Sequence, residues 1–250
     1  MDNLEVKSGS GDQFWSFFGG PVSRRMARWR MVFQGITEFE SQFSDLTATQ
    51  LKKESLSLRF RAKSGEKLER LLPAAAALVR VAAQRTLQMR QYDVQLIGGM
   101  ALFHGSIAEM DTGEGKTLTA TLPLYMHALT GKGSHLATVN DYLARRDKEL
   151  LEPTYALLGM TTGVIQTDDT PDQRRQAYGC DITYGTAKEF GLNKIWVFYR
   201  KGLVAKLKDE KQEDIMEEFD ITDIELPYSK YPAMELSDIE LDYLIAYPSQ

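Results

Sequence analysis

Cysteine is almost absent from this 250-residue chain: Cys180 stands alone, so no intramolecular disulfide can form and a reducing compartment is the simplest setting. With no thiol partner, it reads as inert. Long apolar runs are also missing. The most apolar stretch, residues 74–79, is cut by Arg80 and falls far short of the roughly 20 residues that span a bilayer. The opening MDNLEVKSGSGDQ has no basic segment followed by an apolar core, so no secretory signal is expected. His104, His127 and His135 show no metal-ligand spacing with cysteine or carboxylates, which argues against a zinc site. No nucleophile elbow marks a Ser-His-Asp triad. Nor is there an excess of basic charge. A net charge of −5 argues against a protein that coats nucleic acid.

What is present is the composition of a folded globular protein, 43% apolar and 26% charged, long enough for a sizeable core. Residues 1–13 are polar and rich in Ser and Gly and read as a loose leader. The aromatic cluster Phe14-Trp15-Ser16-Phe17-Phe18 either packs on the following helix or meets a membrane or another protein. Pro21 suits the first turn of a helix, to which Arg24, Arg25, Arg28 and Arg30 give a basic face. Such a face is either simply solvated or recognises anionic lipid. Ser44-Asp45 offers caps for a second helix reaching Lys63 and ended by Gly65. Leu68, Leu71, Leu72, Ala75, Leu78, Val79, Ala82 and Ala83 recur at helical spacing, which predicts a third helix over about 66–90 with one stripe facing a core.

After Gly98-Gly99, short β-like runs alternate with helical ones. Residues 107–109 read as β-like, 117–129 as helix, 135–139 as strand and 141–158 as helix stopped by Gly159. Residues 162–165 read as strand, 168–171 as a turn and 181–184 as strand. Strands separated by helices imply an α/β fold with a parallel sheet and helices on both faces, preceded by an all-helical segment. Residues 193–250 hold 7 Lys+Arg and 13 Asp+Glu, so the acidity belongs to this tail. The expected organisation is a leader (1–13), a helical segment (14–90), a partial P-loop nucleotide-binding domain (91–192) and an acidic tail (193–250).

The strongest chemical signal is Met110-Asp111-Thr112-Gly113-Glu114-Gly115-Lys116-Thr117. A phosphate loop needs glycines where backbone N–H groups curl round phosphate oxygens, a lysine for the β and γ phosphates, a hydroxyl for Mg²⁺ and a helix N-terminus beneath. Gly113 and Gly115, Lys116, Thr117 and the helix from Thr117 supply these in turn. The first glycine of the full pattern is replaced by Met110, which points toward the helicase-motor version of the loop. About 20 residues upstream, Gln95 carries an amide whose C=O and NH₂ match the N6 donor and N7 acceptor of adenine. Met89 and Tyr92 are placed to pack against the base or its surroundings.

Four segments together resemble the SecA family, the ATP-driven motors of bacterial preprotein export: MRQYDVQLIGGM (89–100), IAEMDTGEGKTLTATLPLYMHALTGKG (107–133), TVNDYLARRD (138–147) and DITYGT (181–186). Weaker likeness extends back through the helical segment, so the resemblance covers roughly residues 14–192. It implies a RecA-like, DEAD-like motor domain that takes ATP or ADP with Mg²⁺. It makes Gln95 the adenine-reading position, Gly113, Glu114, Gly115, Lys116 and Thr117 the phosphate loop with Thr117 toward Mg²⁺, and Arg146 a further nucleotide contact. Thr138-Val139-Asn140-Asp141 and Gly185-Thr186 resemble segments that couple nucleotide state to motion. Implied partners are preprotein, the SecYEG membrane channel and anionic lipid, with a homodimer allowed and no nucleic acid. The implied place is the cytoplasm, at the inner face of the plasma membrane.

The resemblance stops after Glu189-Phe190-Gly191. No apolar strand ending in Asp-Glu follows: Asp209-Glu210 comes after Lys206-Leu207-Lys208, and Glu217-Glu218 lies in a charged run. The Walker B carboxylates and the second motor lobe are therefore not recognisable. The expectation is a truncated motor part that binds nucleotide without being a complete motor. A helicase remnant and a non-enzymatic partner protein with a docking tail are the alternatives.

Overall fold

A computed structural model describes residues 21–190 and the strand Tyr243–Ala246. The polar leader, the aromatic cluster at 14–18 and the rest of the acidic tail lie outside the described residues. The elements are α1 (Pro21–Ser44), α2 (Ala48–Lys63), α3 (Leu68–Leu87), α4 (Asp93–Phe103) and α5 (Lys116–Ala128). They continue with β1 (Ser134–Thr138), α6 (Asp141–Leu157), β2 (Thr162–Val164), α7 (Pro171–Tyr178), β3 (Ile182–Thr186) and β4 (Tyr243–Ala246).

The sheet order is β2-β3-β1-β4. β3 pairs in parallel with both β1 and β2, as strands joined by helical crossovers should, while β4 pairs antiparallel with β1, Leu136 opposite Ile245. This is a partial RecA-like α/β arrangement behind a helical segment. No helix among the described residues is long and apolar enough to cross a membrane.

The helix predicted as a one-sided stripe is buried all round. Every residue from Ala74 to Ala83 of α3 is enclosed, because α1, α2, α5 and α6 pack about it and its alanines let them approach closely. Each fully buried leucine, such as Leu71 and Leu78, adds about 1.5–3 kcal/mol over an exposed one. A hydroxyl pair, Ser55 with Tyr125 at 2.8 Å, fastens α2 to α5, and burial holds the Tyr125 phenol well above its ordinary pKa. Arg59 reaches Asp181 at 2.6 Å and ties α2 to the start of β3.

Four expectations are corrected. The cap of α2 is Thr47, not Ser44-Asp45: Thr47 and Gln50 form a reciprocal capping box, and Ser44 still belongs to α1. The β-like texture expected after Gly98-Gly99 does not begin there, since both glycines lie inside α4, which runs to Phe103. A Cβ on Gly99 would stand 2.9 Å from the Thr119 carbonyl oxygen, so the glycines admit α5 at close range. Residues 107–109 form no strand; Ile107 is 95% exposed, with no described strand beside it to receive its hydrogen bonds. Between β2 and β3, the turn is followed by α7, with Pro171 in its first turn and a Thr170–Gln173 capping box.

His104 is exposed at the C-terminal end of α4, and His127 is partly buried in the last turn of α5. His104 stacks on Trp29 at 6.0 Å and meets Phe103 edge-on, and His127 tilts against Phe103 at 5.2 Å. His135 stacks on Phe190 at 5.0 Å. Arg24, Arg25, Arg28 and Arg30 are exposed, as a basic face requires.

Candidate nucleotide site

The loop from Asp111 to Gly115 turns because two of its residues adopt a backbone region that side chains disfavour: Gly113 and Gly115 both have φ +89. A Cβ on Gly113 would meet nothing within 4 Å, so the loop opens there onto free space. Gly115 then serves as N-cap of α5 and brings no side-chain acceptor, and the first turn of α5 holds no acidic residue. A helix start of this kind presents N–H groups and the positive end of the dipole to an anion. The loop's own anion, the Glu114 carboxylate, accepts from the Asp111 N–H at 3.0 Å, and the Glu114 N–H donates to the Asp111 carbonyl at 3.2 Å. Lys116 and Thr117 occupy the first two positions of α5, half-buried at the loop's mouth.

Gln95 lies in the first turn of α4 and is 5% exposed. Its Oε1 accepts from the Tyr92 N–H at 3.0 Å, and its Nε2 donates to the Glu114 carbonyl at 2.7 Å. The same nitrogen lies 2.3 Å from where a Cβ on Gly115 would stand. Gln95 therefore meets the phosphate loop directly, which spacing alone did not reveal. Tyr92 and Met89 beside it are about half exposed, at 51% and 46%.

Gln91 was missed. It is fully buried and donates through Nε2 to the Leu118 carbonyl at 2.6 Å. The signal was available in the sequence as two glutamines four residues apart, facing two carbonyls, those of Leu118 and Glu114, that are also four apart. The pair pegs the start of α4 to the junction of loop and α5 at two points.

Arg146 lies on α6, where its Nε and Nη2 donate to Oδ1 of the fully buried Asp147 at 2.9 and 2.7 Å. The structure thus brings Gln95 together with Glu114 and Gly115, and places Arg146 against its neighbouring carboxylate. Below β1, Asn140 caps α6 by accepting from the Leu143 N–H at 2.9 Å, and Asp141 accepts from Thr167 N–H and Oγ1 at 2.9 and 2.8 Å.

Comparison with known proteins bears on the same residues. The model of the SecA DEAD-like domain matches residues 14–222, which corrects the expectation that the family likeness ends at residue 192 and takes in the first part of the acidic tail. The chain is 52% identical over 192 residues to protein translocase subunit SecA 2 of Rhodopirellula baltica, covering 77% of this chain and 29% of that protein. It is 56% identical over 162 residues to protein translocase subunit SecA of Francisella tularensis subsp. holarctica, covering 65% of this chain and 18% of that one. The same identity and coverage hold for the protein from Francisella tularensis subsp. novicida. The chain thus spans less than a third of the length of these relatives.

Proposed function

The chain belongs to the SecA family, and from that membership we propose that it is the ATP-binding part of a SecA-type motor. The observation that supports this reading is the hydrogen bond from Gln95 to the Glu114 carbonyl, which joins the residue proposed to read adenine to the loop proposed to hold the phosphates. Gly113 and Gly115 curl the backbone round the β-phosphate, and the start of α5 opposes its charge. Lys116 pairs with the β and γ oxygens, and Thr117 offers its hydroxyl to Mg²⁺. Bound Mg²⁺ would supply charge neutralisation on the transferred phosphoryl group. Gln95 reads adenine, with Tyr92 and Met89 flanking the base, and Arg146 is a candidate further contact after leaving Asp147. The open space at Gly113 and the uncapped α5 suit this ligand.

In the complete machine, turnover of ATP would drive unfolded preprotein through the SecYEG channel at the inner face of the plasma membrane. The exposed arginines of α1 are suited to anionic lipid, and a homodimer is compatible with this reading. The sequence shows no recognisable apolar run ending in Asp-Glu, the pair that would align the attacking water, so the chain is expected to bind nucleotide and to hydrolyse it slowly or not at all by itself. The helicase alternative is not favoured by the family match.

The test is a titration with fluorescent ADP and ATP, with Lys116→Ala alongside and phosphate release followed in the same samples. Binding lost in the variant, with no release, supports the reading. Release by the chain alone would refute the missing carboxylates, and a folded chain that binds neither nucleotide would refute the site.

A further inference from the structure

Arg80 is a charged residue in the middle of the most enclosed helix, with a side chain 2% exposed. Its Nη1 meets Glu40 Oε2 of α1 at 3.1 Å, and its Nη2 meets Asp93 Oδ1 at 2.6 Å. Asp93 is the first residue of α4, two positions before Gln95. Glu40 also receives Arg90 through Nε at 2.7 Å and Nη2 at 3.0 Å, and Arg90 lies in the segment that leads into α4. One carboxylate of α1 and one buried guanidinium of α3 thus grip the chain on both sides of Gln91 and Tyr92. At its other end, α1 meets the far end of α4, where Trp29 stacks on His104 and Arg25 Nη1 donates to Ser106 Oγ at 3.2 Å.

A buried ion cluster is a poor way to gain stability, since apolar groups of similar volume often do as well. What it supplies is geometry: a guanidinium with two fixed carboxylates locates their backbones relative to each other. Here the backbones located are those of α1, α3 and the start of α4. Gln95 can meet both its loop partner and a base only if that start is held in register.

We propose that Arg80 and Glu40 are positioning residues for the nucleotide site, fixing the start of α4 so that Gln95 faces the base while the loop holds the phosphates. This rests on the nucleotide reading above. Base recognition then depends directly on the cluster, whereas phosphate capture by Gly113 to Thr117 feels it only through the Gln95–Glu114 bond.

The experiment displaces fluorescent ADP from the whole chain with ADP, GDP or inorganic tripolyphosphate, using Glu40→Gln, Arg80→Lys and Arg90→Gln. Circular dichroism verifies folding. Glu40→Gln is expected to weaken ADP at least about fivefold and to narrow the preference for ADP over GDP, with tripolyphosphate losing clearly less than ADP. Arg80→Lys, which keeps the charge but loses the fork that reaches both Glu40 and Asp93, is expected to lose at least as much as Glu40→Gln. The half-exposed Arg90→Gln carries the same test should a buried variant fail to fold, with a smaller loss in the same direction. Unchanged ADP binding, or equal losses of ADP and tripolyphosphate, would overturn the positioning role while leaving the nucleotide site standing. A wild-type chain that binds no ADP would overturn both.

Discussion

The side-chain amide of Gln95 donates to the Glu114 carbonyl at 2.7 Å, and this bond fastens the start of α4 to the phosphate loop. The other end of the same amide accepts from the Tyr92 N–H at 3.0 Å, so donor and acceptor are both engaged. Gln95→Glu keeps the acceptor and removes the donor, setting a carboxylate oxygen against a carbonyl in a site that is 5% exposed. A loss of about 1–3 kcal/mol is expected in urea unfolding, together with weaker ADP binding. Unfolding that matches the wild type would mean that the bond contributes nothing to holding the loop.

Lys116 begins α5 and is half-buried, outside the core cluster. Lys116→Ala should therefore remove nucleotide binding while changing stability by no more than about 0.5–1 kcal/mol. Fluorescent ADP and thermal unfolding, measured on one preparation, separate the two effects. A variant that unfolds several degrees early would assign Lys116 a structural role.

Gly99 is a point of close approach between α4 and α5. A Cβ there would stand 2.9 Å from the Thr119 carbonyl oxygen and 3.3 Å from Leu122 Cβ, and the nearest of these is backbone that cannot swing away. Gly99→Ala is expected to cost about 1–3 kcal/mol by forcing the helices apart. Because α5 carries the loop, ADP affinity should fall as well. A variant as stable as the parent would show that the two helices part without penalty.

The turn at residues 111–115 was legible because its signals are contiguous: Gly113 and Gly115 stand two apart and both adopt positive φ. The helix lengths of α5 and α6 were legible from Gly131 and Gly159, whose φ of +74 and +76 ends them. Gly98 and Gly99 marked the wrong place for β-like structure to begin: α4 continues through them because they serve close packing, which only the partner helix reveals. Residues 107–109 misled in the opposite sense, since a β-like composition makes a strand only where a neighbour accepts its hydrogen bonds. Thr47 and Gln50 carried a readable capping box, and Ser44, whose hydroxyl made it a cap candidate, instead ends α1. The Arg80 cluster joins residues 40 and 13 positions apart, and no local pattern encodes such a pairing.

His127 gives the protein an acid-sensitive step. Burial beside Phe103 lowers its pKa from 6.5 to about 4, partly offset by a backbone hydrogen bond to Phe103. Between those values the unfolded chain binds a proton that the folded one refuses, so stability rises with pH across the window. The contribution is fully present above pH 6.5 and is lost as pH falls toward about 4, a change of roughly 3 kcal/mol. His104, lowered by burial, acts in the same direction. His127→Gln removes the titration, so the stability of wild type relative to variant should drop between pH 7 and pH 4.5 in urea unfolding. A difference that stays constant across that range would mean that His127 takes up its proton without opening the Phe103 cluster.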